Sequence, residues 1–311
     1  MFIAASAINN WRDLQNKVSF LFREMGYYTE TPRIVDLAGR GQKEVDVYVR
    51  DDRASVNQII LIECKNWSSR VTREVVHAMW TVMEGSGANT GFIISKKGFQ
   101  RGAQEAIANT NIHLLTWEDL QHTFGKQWLA FQTNRLAPVV AELRGIDSLH
   151  LDQWETSKAI MNNMPFEKTG KWKELFDLLI DIRVVLFAAM AQPSKYDQKE
   201  PINVNVYEGF PGAIRDEYGT YGLPLSSVRS FYKWIIPYAE SLLRRYRDLS
   251  ARVRHAFDSL SDDEVEASFA RSLVEIRGEM PIRVFRDLLG DEEYFSLLAR
   301  KFNTKRKVEG S

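Results

Sequence analysis

The stretch Lys43 to Trp67, KEVDVYVRDDRASVNQIILIECKNW, decides how the N-terminal part of this chain is read. Its first eight residues alternate, with Val45, Val47 and Val49 on one side and Glu44, Asp46 and Tyr48 on the other. Lys43 to Arg50 is therefore predicted to be one half-buried strand. After a short polar linker, Ile59 to Ile62 form the continuous apolar run of a central strand, and charge returns at Glu63 and Lys65. These two residues are two apart, hence on the same side, where the strand leaves the core. If the two strands are neighbours, Asp46, Glu63 and Lys65 converge on one patch.

The flanking sequence supplies the rest of a domain. Upstream, Trp11, Leu14, Val18, Leu21, Phe22 and Met25 recur at helical spacing, and Gly26 marks the helix end. Tyr27 to Thr31 reads as a strand, followed by a turn-prone stretch through AGRGQ. Downstream, Val75 to Met83 is helical, GFIIS (91–95) a buried strand, Phe99 to Ile107 a helix and IHLLT (112–116) a last strand. The order helix, three strands, helix, strand, helix, strand predicts a mixed α/β sheet: the early strands a meander, the later ones parallel, helices on both faces.

Beyond about residue 125 long helical patterns take over, with a linker suggested between Gly125 and Pro138. Helices are predicted over 171–191, over 226–259 with a bend at Pro237, and over 262–277, where Ser261 and Glu264 have capping-box spacing. Between them, 192–225 reads as a loop or small hairpin around Ile202, Val204 and Val206. The expected division is a domain over 1–125, a helical linker region over 126–165 and a mainly α-helical domain over 166–311.

At 311 residues the chain has room for two cores. Its 41 Lys+Arg against 41 Asp+Glu leave no net charge, and neither half is strongly polarised, so any nucleic-acid affinity must be local. One cysteine, Cys64, excludes an intramolecular disulfide and a Cys-rich zinc site, and the five histidines lack ligand spacing. The N-terminus has no signal-peptide pattern, and Asp181 and Arg183 interrupt the most apolar stretch, 178–191. A cytoplasmic protein without membrane contact is expected.

Two carboxylates at bonding distance repel unless a cation lies between them. Asp46 and Glu63, with the Cys64 backbone carbonyl, are a donor set of the kind that holds Mg²⁺, with Mn²⁺ able to substitute. Such an ion lowers the pKa of a bound water and neutralises charge on a phosphate, while Lys65 can hold the water and a phosphate oxygen. Phosphodiester hydrolysis suits this set. The plain alternative is a cross-strand salt bridge worth under about 1 kcal/mol, and Asp197 and Lys199 repeat the spacing in what reads as a loop. Glu44 shares the face of Asp46 and is either a third acid or a bystander.

Helix one ending in Gly26, EVDV (44–47), IECKNW (62–67), GFIISKKGFQRGAQEAI (91–107) and IHLLTWEDL (112–120) together resemble the Mrr-like branch of the PD-(D/E)xK restriction endonuclease superfamily. The resemblance covers roughly residues 10 to 122. It implies a metal-dependent DNA endonuclease, with Asp46 and Glu63 as metal ligands, Lys65 as the catalytic lysine and Gln15 as the polar first-helix residue. It also implies a role in prokaryotic restriction or antiphage defence. Gln15 lies on the edge of the apolar helix face, where a polar side chain points toward the sheet or remains an ordinary flank residue.

Candidate DNA contacts are Arg70, Arg73, Lys96, Lys97 and Arg101, at strand ends and helix starts, or else these form a solvated rim. Trp67 is placed to meet bases, and Trp80 to pack in the core. No GK[ST] phosphate loop is present, so the chain has no ATPase motif. The basic stretch 241–256 is expected to pair with the acidic stretch that follows it, within the chain or across a dimer, rather than to grip DNA. The C-terminal domain is thus expected to sense, oligomerise or dock into a complex; the alternative for the whole is a catalytically silent DNA- or protein-binding subunit.

Overall fold

The computed structural model describes residues 8–152, 171–197 and 202–258. They form two compact units, one within Met1–Arg135, Pro193–Ile202 and Leu225–Tyr232, the other within Leu136–Gln192, Asn203–Pro224 and Lys233–Ser311.

The first unit opens with α1 (Trp11–Glu24). Asn10 caps it, its side-chain oxygen accepting from the Asp13 amide at 3.0 Å. At the other end Gly26, at φ +83°, turns the chain so that the Tyr27 amide reaches back to the Phe22 carbonyl at 3.2 Å. A side chain on Gly26 would meet the Phe131 ring at 2.5 Å, so this position needs glycine twice over. Leu14, Val18, Leu21 and Phe22 are buried as the spacing predicts, whereas Trp11 is half exposed.

Seven strands follow: β1 (Tyr28–Glu30), β2 (Arg33–Leu37), β3 (Gly41–Val45), β4 (Val47–Asp51), β5 (Gln58–Lys65), β6 (Thr90–Ser95) and β7 (Ile112–Thr116). Between them lie α2 (Arg73–Ser86) and α3 (Arg101–Ala106). The main sheet has the order β1-β4-β5-β6-β7. Its first three strands are antiparallel neighbours and its last three parallel, which is the expected mixed sheet. Tyr48, Leu61 and Ile93 pack in one core cluster with Val76, Met79 and Met83 of α2. Residues of opposite parity, Val47, Val49, Ile62 and Ile94, are equally buried and face the other way, where α1 meets β1, β4 and β5. Tyr48 is therefore buried although it alternates with valines, because both faces of β4 are covered.

The expected single strand over 43–50 is instead two strands, parted at Asp46. β3 pairs with β2 in a separate antiparallel hairpin, Arg33 opposite Val45, and β4 joins the main sheet, Val47 opposite Ile62. The hairpin also occupies the stretch expected to be a turn. At the break the Asp46 carbonyl accepts from the Thr31 hydroxyl at 2.7 Å, outside either ladder.

A continuous helix, α4 (Trp117–Asp152), runs through Gly125 and Pro138, where a linker is expected. Gly125 is there for contact: a side chain on it would fall 2.2 Å from the Tyr196 ring. In the first unit Glu24 accepts from Trp128 Nε1 at 3.1 Å and pairs two-pronged with Arg229, Nε at 2.9 Å and Nη2 at 2.5 Å. Gln132 Nε2 donates to the Glu24 carbonyl at 2.5 Å. Residues far along the sequence thus complete the unit that carries α1. Arg229→Ala should destabilise it by about 1–3 kcal/mol, since it strips a partly buried carboxylate of two charge-assisted bonds. A melt showing no loss would refute this.

The second unit contains α5 (Lys171–Met190), the small sheet of β8 (Ile202–Val206), β10 (Tyr221–Leu225) and β9 (Ile214–Arg215), and most of α6 (Val228–Asp258). The sheet stands where a loop or hairpin is expected. Leu178, Ile182 and Val185 of α5 and Ala239, Leu242 and Leu249 of α6 are buried. Three arginines of α6 pair with acids elsewhere: Arg245 with Asp181 at 2.8 Å, Arg247 with Glu142 at 2.7 Å, and Arg252 with Glu174. The acidic stretch after residue 258 and the helix expected over 262–277 lie outside the described residues.

Candidate active site

The break in the strand aims Asp46 at the end of β5. Its Oδ2 accepts from the Cys64 amide at 2.6 Å, and its Oδ1 from Gln15 Nε2 of α1. Gln15 is 6% exposed, so the polar flank position is a buried one that reaches the sheet. Glu63 and Lys65, both half-buried, form an ion pair with each other. Lys65 Nζ also lies 5.2 Å from the centre of the Trp67 ring. The four residues Gln15, Asp46, Glu63 and Lys65 therefore meet, from α1, the strand break and β5.

Burial pushes the Asp46 carboxyl up to about 6, and the negative charge of Glu63 pushes the same way. The Cys64 amide, the Lys65 charge and the Gln15 amide pull it down, less strongly. The Cys64 thiol is raised well above its ordinary range, first by burial and then by Asp46 and Glu63. It is disfavoured as a thiolate ligand, so only its backbone is of use to a cation.

The donor set fits a hard divalent cation. Two carboxylates close enough for one to raise the other's pKa carry charge that such an ion would relieve. Among the described residues no three His, Cys, Asp or Glu side chains gather into a metal group. An ion here would take Asp46 and Glu63 and fill its shell with a backbone carbonyl and water, the habit of Mg²⁺.

Glu63 and Lys65 also open into a cleft of about 300 Å³ between the β2–β3 hairpin and α2. Glu44 lines it, exposed and away from the Asp46 carboxylate's hydrogen bonds, so it flanks the site. Arg70, Lys96 and Lys97 are exposed. Arg73 and Arg101 share Glu105, at 3.4 and 2.8 Å, which tempers their charge. Trp67 is 42% exposed, and Trp80 is 48% exposed, against the expectation of core packing: it lies on the outer face of α2. Spacing did not single out two further residues. Thr31 fixes the Asp46 backbone, and Asn66, next to Lys65, has a buried Oδ1 with no hydrogen-bond partner.

Residues 7–124 match the family model described as restriction endonuclease, the Mrr catalytic domain. The match spans over a third of the chain and bears out the resemblance to Mrr-like restriction endonucleases for that stretch, whose sheet and helices have the corresponding fold. No curated protein matches the chain. Two solved structures are similar to it. A protein of unknown function, AF1548, has 21% identity and a TM-score of 0.31, over 35% of this chain and 59% of that one. The MspJI restriction endonuclease in complex with a 27-mer oligonucleotide has 20% identity and a TM-score of 0.26, over 36% of this chain and 27% of that one. The chain thus spans less than two thirds of either. No helix among the described residues is long and apolar enough to cross a membrane.

Proposed function

We propose that this protein is a Mg²⁺-dependent endonuclease that hydrolyses DNA phosphodiester bonds, as a regulated effector of a prokaryotic restriction or antiphage system in the cytoplasm. The observation that carries this is the meeting of Asp46, Glu63, Lys65 and Gln15 at one end of β5, in a stretch that matches a nuclease catalytic family. When bound, the cation supplies an activated water and neutralises charge developing on the phosphate. Asp46, Glu63 and the Cys64 carbonyl would hold it. Gln15 and the Cys64 amide fix the Asp46 carboxylate in one orientation. Lys65, paired with Glu63, presents an ammonium to the attacking water and the phosphate oxygen. Arg70, Lys96 and Lys97 would meet the flanking backbone, with Arg73 and Arg101 contributing less, giving weak and salt-sensitive affinity in a neutral chain. The C-terminal helical region would serve oligomerisation or docking into a defence complex.

Supercoiled plasmid incubated with the protein and Mg²⁺ or Mn²⁺ should be nicked or linearised, and EDTA should stop this. Binding that survives EDTA, with no cutting under any metal or partner, would instead favour a silent binding subunit.

A further inference from the structure

The cleft beside Glu63 and Lys65 extends well past the reacting groups. Its floor is apolar, made by Val45 of the hairpin and Val75, Met79 and Val82 of α2. The exposed indole of Trp67 stands at its mouth, next to Lys65. Glu44, Glu63 and Glu74 line it against Lys43 and Lys65, so its interior carries no surplus of positive charge for a phosphate, while Lys65 at its edge and the exposed Lys96 and Lys97 offer phosphates a place at the end of β5. A sugar-phosphate backbone would strand its charges on the apolar floor. What suits the space is a neutral, flat ring continuous with a strand whose phosphate lies at Lys65. About 300 Å³ is the size of a small-ligand pocket, open to one ring system rather than to a stacked duplex.

We propose that this cleft receives an unpaired nucleobase of the DNA, adjacent to the scissile phosphate and stacked on Trp67, so that the enzyme acts preferentially where a base is unpaired or easily extruded. The proposal rests on the nuclease reading and narrows its substrate. A base inside a duplex cannot reach the floor without leaving its stack, and the cost of unstacking is least where pairing is already lost. Stacking on the indole repays part of that cost without regard to sequence.

The test uses the full chain and two labelled duplexes of the same sequence, one fully paired and one with a single unpaired nucleotide. Affinity is measured by fluorescence anisotropy in EDTA, and cutting is measured separately with Mg²⁺. The wild type should bind the bulged duplex about tenfold more tightly, and Trp67→Ala should shrink that ratio about tenfold, the range of one base–aromatic stack. Ala78→Leu, on the exposed wall of the cleft, should shrink it too by filling the space, without removing the indole. Equal affinity for the two duplexes in the wild type, or a ratio unmoved by both variants, overturns the proposal. Cutting of both duplexes at equal rates overturns it while leaving the nuclease reading intact. A base preference in EDTA with no cutting under any metal or partner supports the cleft and removes the nuclease reading instead.

Discussion

Lys65→Ala should lower plasmid cleavage about a thousandfold or more, and Asp46→Ala should do the same, for different reasons. Lys65 supplies a charge where charge grows, and removing one such donor typically costs about 10²–10³ in rate, more where it also places the water. Lys65→Arg is not a rescue, because the guanidinium is a wide fork and the half-buried site beside Glu63 holds a point charge. Asp46→Ala removes a carboxylate ligand and also leaves the Cys64 amide and the Gln15 amide without their acceptor. The two variants separate on cation affinity. Without its ammonium, Glu63 is a more available ligand, so Lys65→Ala should keep or strengthen Mn²⁺ binding, whereas Asp46→Ala should lose it. Titration of bound Mn²⁺ reads this directly. Asp197→Ala, which carries the same carboxylate-lysine spacing in a segment remote in sequence, should cut like the wild type. Equal cutting by the wild type, Lys65→Ala and Asp46→Ala would end the site assignment.

The sheet was legible because its strands announce themselves by period and by apolar runs, and IHLLT and GFIIS lie where they are read. Glu63 and Lys65 were legible for the same reason: the parity of a strand fixes which side they share. The break at Asp46 was not. Alternation in KEVDVYVR continues unbroken through it, and what parts the strand is the Thr31 hydroxyl from another segment holding the Asp46 carbonyl. A partner fifteen residues away leaves no mark in local periodicity. The hairpin was missed because AGRGQ looks like a turn, which it is, but one closing a ribbon whose inner residues Val35 and Leu37 are buried by α2. Trp80 was misplaced because an indole on an amphipathic helix reads as core, although its neighbours Val76, Met79 and Met83 already fill the inner face. Nor does composition account for Gly125, since only the Tyr196 ring shows why it is glycine.

Asp46→Asn should make the metal-free protein more stable at neutral pH while abolishing cleavage. The Asp46 carboxyl is raised to about 6 in the folded chain from an ordinary 3.8, chiefly by burial and then by Glu63. A group whose folded pKa lies above its unfolded one contributes stability that is full below the unfolded value and is lost as pH rises through the folded value. In EDTA, wild-type stability should therefore fall between about pH 4 and about pH 7, as the buried carboxylate is forced to ionise. A shift of this size corresponds to about 2 kcal/mol once partial solvent screening is allowed for. Asparagine keeps an oxygen for the Cys64 amide, its NH2 can donate to Gln15 Oε1 once the Gln15 amide turns over, and it carries no charge, so the variant should escape the penalty. Melting in EDTA should show the two proteins together near about pH 4 and the variant ahead above about pH 7. Adding Mn²⁺ should then raise the wild type well above the variant, because the variant keeps Glu63 but has lost the second carboxylate ligand. A variant no more stable than the wild type above about pH 7 in EDTA would mean that Asp46 is already relieved by its hydrogen bonds, and the electrostatic case for a cation between Asp46 and Glu63 would fall with it.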